Sequence, residues 1–234
     1  MAEYRPGGFQ LIPPVIKNLI IINVLIYLAQ STLGEVFNTK LIDLFALHDV
    51  RSPLFRPHQV ITYLFLHGSW QHVLYNMLAL WVFGSMLENY WGAKRFLIFY
   101  VICGIGAAAA HLAVLYPEMT PYINDFHQYP IADQQQYGDN PNLPMNGATL
   151  GASGAVFGCL AAAAWLFPNT YLYIYFLFPV KIKWVVIFYA AGELISGVNP
   201  TAGDNVAHWA HLGGGLVGLL LVMYWNRTNR RNFY

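Results

Sequence analysis

The chain has 234 residues, of which 57% are hydrophobic and 10% charged, with a net charge of +1 and a mean hydropathy of +0.43. Soluble domains carry about 25% charged residues, so this composition argues against one and for an integral membrane protein. The near-neutral balance offers no electrostatic footprint for nucleic acid. The two cysteines, Cys103 and Cys159, lie in apolar runs, which argues against a disulfide framework.

The first eleven residues contain Arg5, Pro6, Gly7 and Gly8 and no apolar core, so no cleavable signal peptide is expected. A spanning helix needs roughly 20 mostly apolar residues. Six segments read as spans: 15–33, 72–90, 95–116, 151–167, 183–196 (with an earlier start within 171–180 allowed) and 206–225. Several are short and rich in glycine or alanine, which suits close helix packing in lipid. The connection 34–66 mixes apolar and polar residues and reads as amphipathic pieces at the interface. The connection 117–146 holds Pro117, Pro121, Pro130, Pro141 and Pro144 with Gln134-Gln135-Gln136, and reads as an irregular polar loop. No internal repeat is apparent, which disfavours an inverted-repeat transporter.

Basic residues orient these spans. With the N-terminus in the cytoplasm, Arg5, Lys17, Lys94, Arg95, Lys181, Lys183, Arg227, Arg230 and Arg231 fall inside, and Lys40, Arg51 and Arg56 outside. The expected fold is an all-α membrane protein, a six-helix bundle with both termini cytoplasmic. Residues 1–14 form a cytoplasmic segment, 15–226 the membrane domain and 227–234 a basic cytoplasmic tail.

Polar and ionisable residues at membrane depth are costly and are functional candidates. Ser153, in Gly151-Ala152-Ser153-Gly154, opens the fourth span at its outer end, where free N–H groups and the positive dipole end favour developing negative charge. His211, in Ala210-His211-Leu212-Gly213-Gly214, lies one to two turns into the sixth span at comparable depth. The pair reads as nucleophile and general base. Gly154 with Gly158, and Gly214 with Gly218, are small-xxx-small pairs that let two backbones approach. His211, Gly214 or Gly215, and Gly218 share one helix face, and Phe157 shares the Ser153 face, where its ring can pack flat on His211. No aspartate is placed to orient the imidazole, so a Ser–His dyad is the economical reading. His72 and Asn76, four apart at the start of the second span, form a donor pair suited to an oxyanion hole, with the Ser153 backbone N–H as a third donor. His67 lies in the preceding turn, within reach of the same cavity.

Blander readings accompany each of these. A serine between glycines in a membrane helix is commonly a packing residue, and Asn76 can be interhelical glue. His208 and His211, with His67, His72 and His111, are candidates for metal or haem, but none has a neighbouring acidic or thiol residue at metal-ligand spacing. No metal and no cofactor are expected. Glu88 and Glu193 read as structural, Glu88 capping a helix or pairing with Lys94 or Arg95.

On these residues the chain resembles the rhomboid family of intramembrane serine proteases. His67, His72 and Asn76 look like its second-helix signature, and the stretch from Phe83-Gly84 through Glu88 to Gly92 resembles the family's next segment. Gly151-Ala152-Ser153-Gly154 matches the family's GxSG, and Ala210-His211-Leu212-Gly213-Gly214 with Gly218 matches its sixth-helix pattern. The resemblance implies Ser153 as nucleophile, His211 as base, His72 and Asn76 lining the oxyanion hole, and Gly151 allowing close approach. It places Phe157 at a position where an aromatic stacks on the base. It also implies a first outer loop lying half in the membrane, and a gate formed by the fifth helix and the loop 197–205. A Trp-Arg pair found in some members is replaced here by Pro57-His58-Gln59-Val60, and His208 receives no catalytic position.

The expected function is a serine endopeptidase that cleaves transmembrane protein substrates near the outer end of a helix. A non-catalytic binder of membrane clients and a histidine-lined transporter are the alternatives. The partners expected are substrate and bilayer, and the absence of a targeting extension favours a bacterial inner membrane. Substrate sequence and oligomeric state are not legible.

Overall fold

In a computed structural model of the protein, residues 8–138, 140, 142–174, 177–199 and 206–229 are described. Helix α1 covers Pro14–Thr32 and begins with a proline, whose missing N–H costs nothing in a first helical turn. The next N–H groups are taken from a distance. The Glu88 carboxylate accepts from Val15 N and Ile16 N, both at 3.0 Å. Glu88 therefore caps α1, and the expected pairing with Lys94 or Arg95 is not what it makes. Helix α2 (Glu35–Phe45) and the single turn α3 (Gln59–Thr62) come next. The second expected span is continuous from α4 (Trp70–Ala79) through a π-helical turn, Leu80–Gly84, into α5 (Ser85–Trp91). Then come α6 (Ala93–Phe126), α7 (Ile131–Tyr137) and α8 (Ser153–Leu166). A two-stranded antiparallel hairpin, β1 (Tyr171–Ile174) and β2 (Phe178–Lys181), pairs Tyr171 with Lys181 and Leu172 with Val180. It occupies the stretch into which the fifth span was allowed to extend. Helices α9 (Ile182–Val198) and α10 (His208–Asn229) complete the chain.

The interior is largely apolar, but so is much of the outer surface. On α1, Asn23 and Gln30 are buried while Ile21, Leu25 and Leu28 are exposed. On α6, Leu97, Ile98, Ile102 and Ile105 face outward, and on α10 Leu216, Leu220 and Tyr224 do so. Apolar rows of this extent on several helices call for a lipid solvent, with polar groups turned to the interior. By length and composition, α1 and α6 are the two described helices apolar enough to cross a membrane, and α8 is apolar but shorter. The protein is mostly helical and an integral membrane protein.

The expected polar loop 117–146 is corrected. Helix α6 runs on to Phe126 through Pro117 and Pro121, and a further turn, Pro144–Asn146, lies beyond α7. Arg51 anchors the extension. Its guanidinium donates to Tyr116 O at 2.7 Å and to Thr120 Oγ1 at 2.8 Å, and lies 3.9 Å from the centre of the Tyr116 ring. The carbonyls that lose a helical donor to Pro117 and Pro121 are Ala113 O and Pro117 O, and Arg51 bonds to groups beside them, tying this part of the helix to the chain around Asp49. Arg51 is itself held by Asp49 at 2.8 Å. Burial alone would raise the Asp49 carboxyl, but the hydrogen bonds and charge of Arg51 hold it below its ordinary value. Arg51→Ala is expected to cost about 2–3 kcal/mol, the scale of charge-assisted hydrogen bonds. Amide exchange should accelerate selectively across 117–126. Unchanged protection there would mean that Arg51 is not the anchor.

Helices α6, α8 and α10 pack against one another most extensively and form the centre of the fold. Glycine decides their approach. A Cβ on Gly214 would collide with the Gly154 carbonyl, and one on Gly218 would stand 2.6 Å from Gly158 Cα. A Cβ on Gly158 would meet Cys103 Sγ of α6 at 2.5 Å. Such backbone-to-backbone contact maximises dispersion where lipid supplies no hydrophobic drive between helices.

Candidate active site

The chain ahead of Ser153 is fixed before the helix begins. Thr149 and Leu47 exchange two backbone hydrogen bonds of 2.8 Å, and Gly151 N donates to Tyr63 O at 2.9 Å. The Tyr63 hydroxyl in turn donates to Gly104 O on α6 at 2.8 Å. Gly151 has φ +129°, a region unfavourable to other residues. A Cβ there would also lie 2.7 Å from His72 Cε1 and 2.8 Å from His72 Nε2. Glycine is thus required twice, for the turn and for the imidazole beside it. Helix α8 then starts at Ser153 itself, so the first-turn N–H groups around the hydroxyl have no partner within the helix.

Ser153 Oγ lies 2.7 Å from His211 Nε2. Phe157, one turn along α8, stacks on the His211 ring with centroids 4.6 Å apart and planes inclined by 4°. Tyr189 of α9 packs against Phe157 in turn, with ring centroids 4.7 Å apart and planes inclined by 52°. The other imidazole nitrogen, Nδ1, lies 2.9 Å from Glu193 Oε2. A carboxylate accepts and does not donate, so Nδ1 carries the hydrogen and Nε2 is left to accept from the serine hydroxyl. His208 Nδ1 meets the same Glu193 oxygen at 2.6 Å.

This arrangement corrects two expectations. A carboxylate is present at the imidazole after all, and Glu193, expected to be structural, is the residue that supplies it. Glutamate in an apolar span is the signal that was available, since intramembrane charge is costly. What could not be read was its partner on another helix. The same geometry bears on metal binding. Ligand atoms of Glu193, His208 and His211 lie within 4.8 Å of one another, so the tertiary fold supplies the acidic neighbour missing from the local sequence. As arranged, both Nδ1 atoms lie within hydrogen-bonding distance of one carboxylate oxygen, at 2.6 and 2.9 Å.

The His72 ring lies beside Gly151, with Ser153 Oγ next to the same point. Asn76 Nδ2 donates to His72 O at 2.9 Å along its own helix, which leaves its second amide hydrogen available. His67 lies edge-on to His72, ring centroids 5.0 Å apart, and both of its ring nitrogens are buried without a protein partner. His111 is taken elsewhere, its Nε2 2.7 Å from Thr149 Oγ1. Of the expected gate, residues 200–205 lie outside the described residues, as do 1–7 and 230–234 of the terminal segments.

A family model for the rhomboid domain matches residues 55–227. The chain belongs to the rhomboid family. It is similar to the mitochondrial Rhomboid protein 1 of Saccharomyces cerevisiae, 31% identical over 160 residues, covering 68% of this chain and 39% of that protein. It is 28% identical over 161 residues to the rhomboid protease GluP of Bacillus subtilis, covering 68% and 24% respectively. It is 28% identical over 167 residues to the human mitochondrial presenilin-associated rhomboid-like protein, covering 68% and 36%. The chain therefore spans less than half the length of each of these rhomboid relatives. Their names place them in mitochondria and in a bacterium, so the expectation of a bacterial inner membrane gains no support from them.

Proposed function

We propose that this rhomboid is an intramembrane serine endopeptidase acting on transmembrane proteins. The observation that carries the reading is the 2.7 Å contact between Ser153 Oγ and His211 Nε2, in the tautomer that accepts the serine proton. Ser153 Oγ attacks the scissile carbonyl carbon as its proton passes to His211 Nε2, and the imidazolium then protonates the leaving amine. The ester formed at Oγ is hydrolysed by water, with His211 again taking the proton. Charge on the carbonyl oxygen is met by His72, Asn76 and the Ser153 backbone N–H.

The membrane reading rests on lengths. Helix α8 has 14 residues, about 21 Å at 1.5 Å per residue, against a hydrocarbon core of roughly 30 Å. With its C-terminal end at one surface, Ser153 lies beneath the other. The proposed topology has six spans across 15–226, both termini cytoplasmic and the site open to the outer face. A substrate helix must unwind to expose its carbonyl there, which helix-breaking or small residues assist.

The deciding experiment is labelling with a fluorophosphonate serine-hydrolase probe and mapping the modified residue. Modification at Ser153, with cleavage of a model transmembrane substrate in liposomes, is expected. Modification elsewhere or none, with client binding alone, would favour the non-catalytic reading that several relatives' "rhomboid-like" names permit. Histidine-dependent flux without cleavage would favour a transporter.

The oxyanion donors give a separate prediction. Removing one such donor costs about 100- to 1,000-fold in kcat. His72→Ala and Asn76→Ala are each expected to lower kcat toward the smaller figure, with little change in KM. Melting temperature and single-turnover rate measured on one preparation distinguish this from interhelical glue. A lower melting temperature with an unchanged rate would remove these residues from the mechanism.

A further inference from the structure

We propose that Glu193 is a positioning residue for His211, so that the reacting Ser–His pair is held by a carboxylate in one hydrogen-bonded triad spanning α9, α10 and α8. This rests on the protease reading above and adds a third member to it. The geometry is complete on one line: Glu193 Oε2 to His211 Nδ1 at 2.9 Å, and His211 Nε2 to Ser153 Oγ at 2.7 Å. The stacked Phe157 ring fixes the imidazole plane, but stacking does not choose between the two ring orientations related by a half-turn about Cβ–Cγ. The carboxylate makes that choice, and it selects the tautomer with a bare Nε2. As the serine proton arrives at Nε2, Glu193 stabilises the imidazolium through the same hydrogen bond and stays ionised.

Placement of Glu193 is built into the helices. Gly197 lies one turn further along α9 on the same face, and a Cβ there would be 3.2 Å from His208 Cβ and 3.4 Å from the Trp209 ring. Glycine at 197 thus lets α9 close on the first turn of α10, which brings Glu193 to the imidazoles. Glu193 is buried, a costly location for a carboxylate unless partners hold it. His208, donating at 2.6 Å, supplies the second of these partners. It anchors the carboxylate, which explains why it stands beside the base without touching the serine.

The test compares Glu193→Gln, Glu193→Asp and His208→Ala with the wild type in liposomes, reading kcat, KM and melting temperature. Glutamine fills the same space without the charge, and its amide can face Nδ1 and force the wrong tautomer. In soluble triads the equivalent change costs about 10,000-fold in kcat. Here a fall of about 100-fold or more is expected, with KM within about twofold. Aspartate, which restores the charge, should recover part of the loss, and His208→Ala should be only partly impaired. A Glu193→Gln enzyme with wild-type kcat would overturn the proposal, whatever its melting temperature. Should that variant not fold, 15N-histidine NMR of the wild type decides. The His211 resonance, identified by its loss in His211→Ala, is expected as the Nδ1–H tautomer, and an Nε2–H tautomer would overturn the triad. Failure of the wild type to label at Ser153 would instead count against the protease reading itself.

Discussion

Ser153→Ala is expected to abolish proteolysis and leave the protein folded. The substitution keeps the Cβ that packs at the start of α8 and deletes one oxygen. Its hydrogen bond to His211 is worth about 1 kcal/mol net, so the melting temperature should move by a few degrees at most. Catalysis loses the atom that forms the covalent intermediate, which no neighbour can supply, since Ala152 and Gly154 flank it. His211→Ala should be as inactive, because removal of either member of a nucleophile–base unit costs nearly as much as removal of both. Cleavage of a model transmembrane substrate in liposomes checks both. Near-wild-type turnover by Ser153→Ala would end the catalytic assignment.

Gly214→Ala is expected to damage both stability and activity, while Gly215→Ala leaves both close to wild type. The two positions are adjacent on α10 and chemically identical. A Cβ on Gly214 falls on the Gly154 carbonyl, whereas one on Gly215 meets only Phe157 O at 3.8 Å, an ordinary contact. Overpacking typically costs about 1–3 kcal/mol. Here the obstacle is backbone, which cannot turn aside as a side chain does, so the upper end of that range applies. The helices must separate, and His211 and Ser153 separate with them. A displacement of about 1 Å at a reacting pair can cost roughly 100-fold in rate. At Gly215 alanine gains helix propensity, up to about 1 kcal/mol. Denaturation midpoints and single-turnover rates on the two variants check the contrast. Equal behaviour of the pair would mean that the α8–α10 approach does not set the site.

The extents of α1, of α4 through α5, of α8 and of α10 were legible because each is an apolar run bounded by proline, glycine or polar residues. Ser153, His211, His72 and Asn76 were legible because a polar side chain in an apolar run stands out, and because glycines at a spacing of four mark a contact face. The glycine pattern alone left Gly214 and Gly215 as equal candidates for that face. Only packing assigned Gly214 to α8, Gly213 to Ala110 of α6, and Gly215 to no more than an ordinary contact with Phe157 O.

Proline misled at 117–146. Local chemistry favours a loop there, yet the helix runs on to Phe126, and Arg51, more than sixty residues away, bonds to it at Tyr116 O and Thr120 Oγ1. Glu193 was visible as a charge and invisible as a partner. Composition and residue spacing report what a segment does with its own neighbours: whether it enters lipid, where a helix starts, which small residues share a face. Such preferences act within a turn or two of helix, so by itself the sequence determined a helical membrane protein with a serine and a histidine on glycine-lined faces. The meeting of Glu193 with His211 and His208, like the Glu88 cap on α1, depends on how separate helices are placed side by side. Around Glu193 and His211 that placement rests on close approaches at Gly154, Gly158, Gly197, Gly214 and Gly218, and only the tertiary structure decided it.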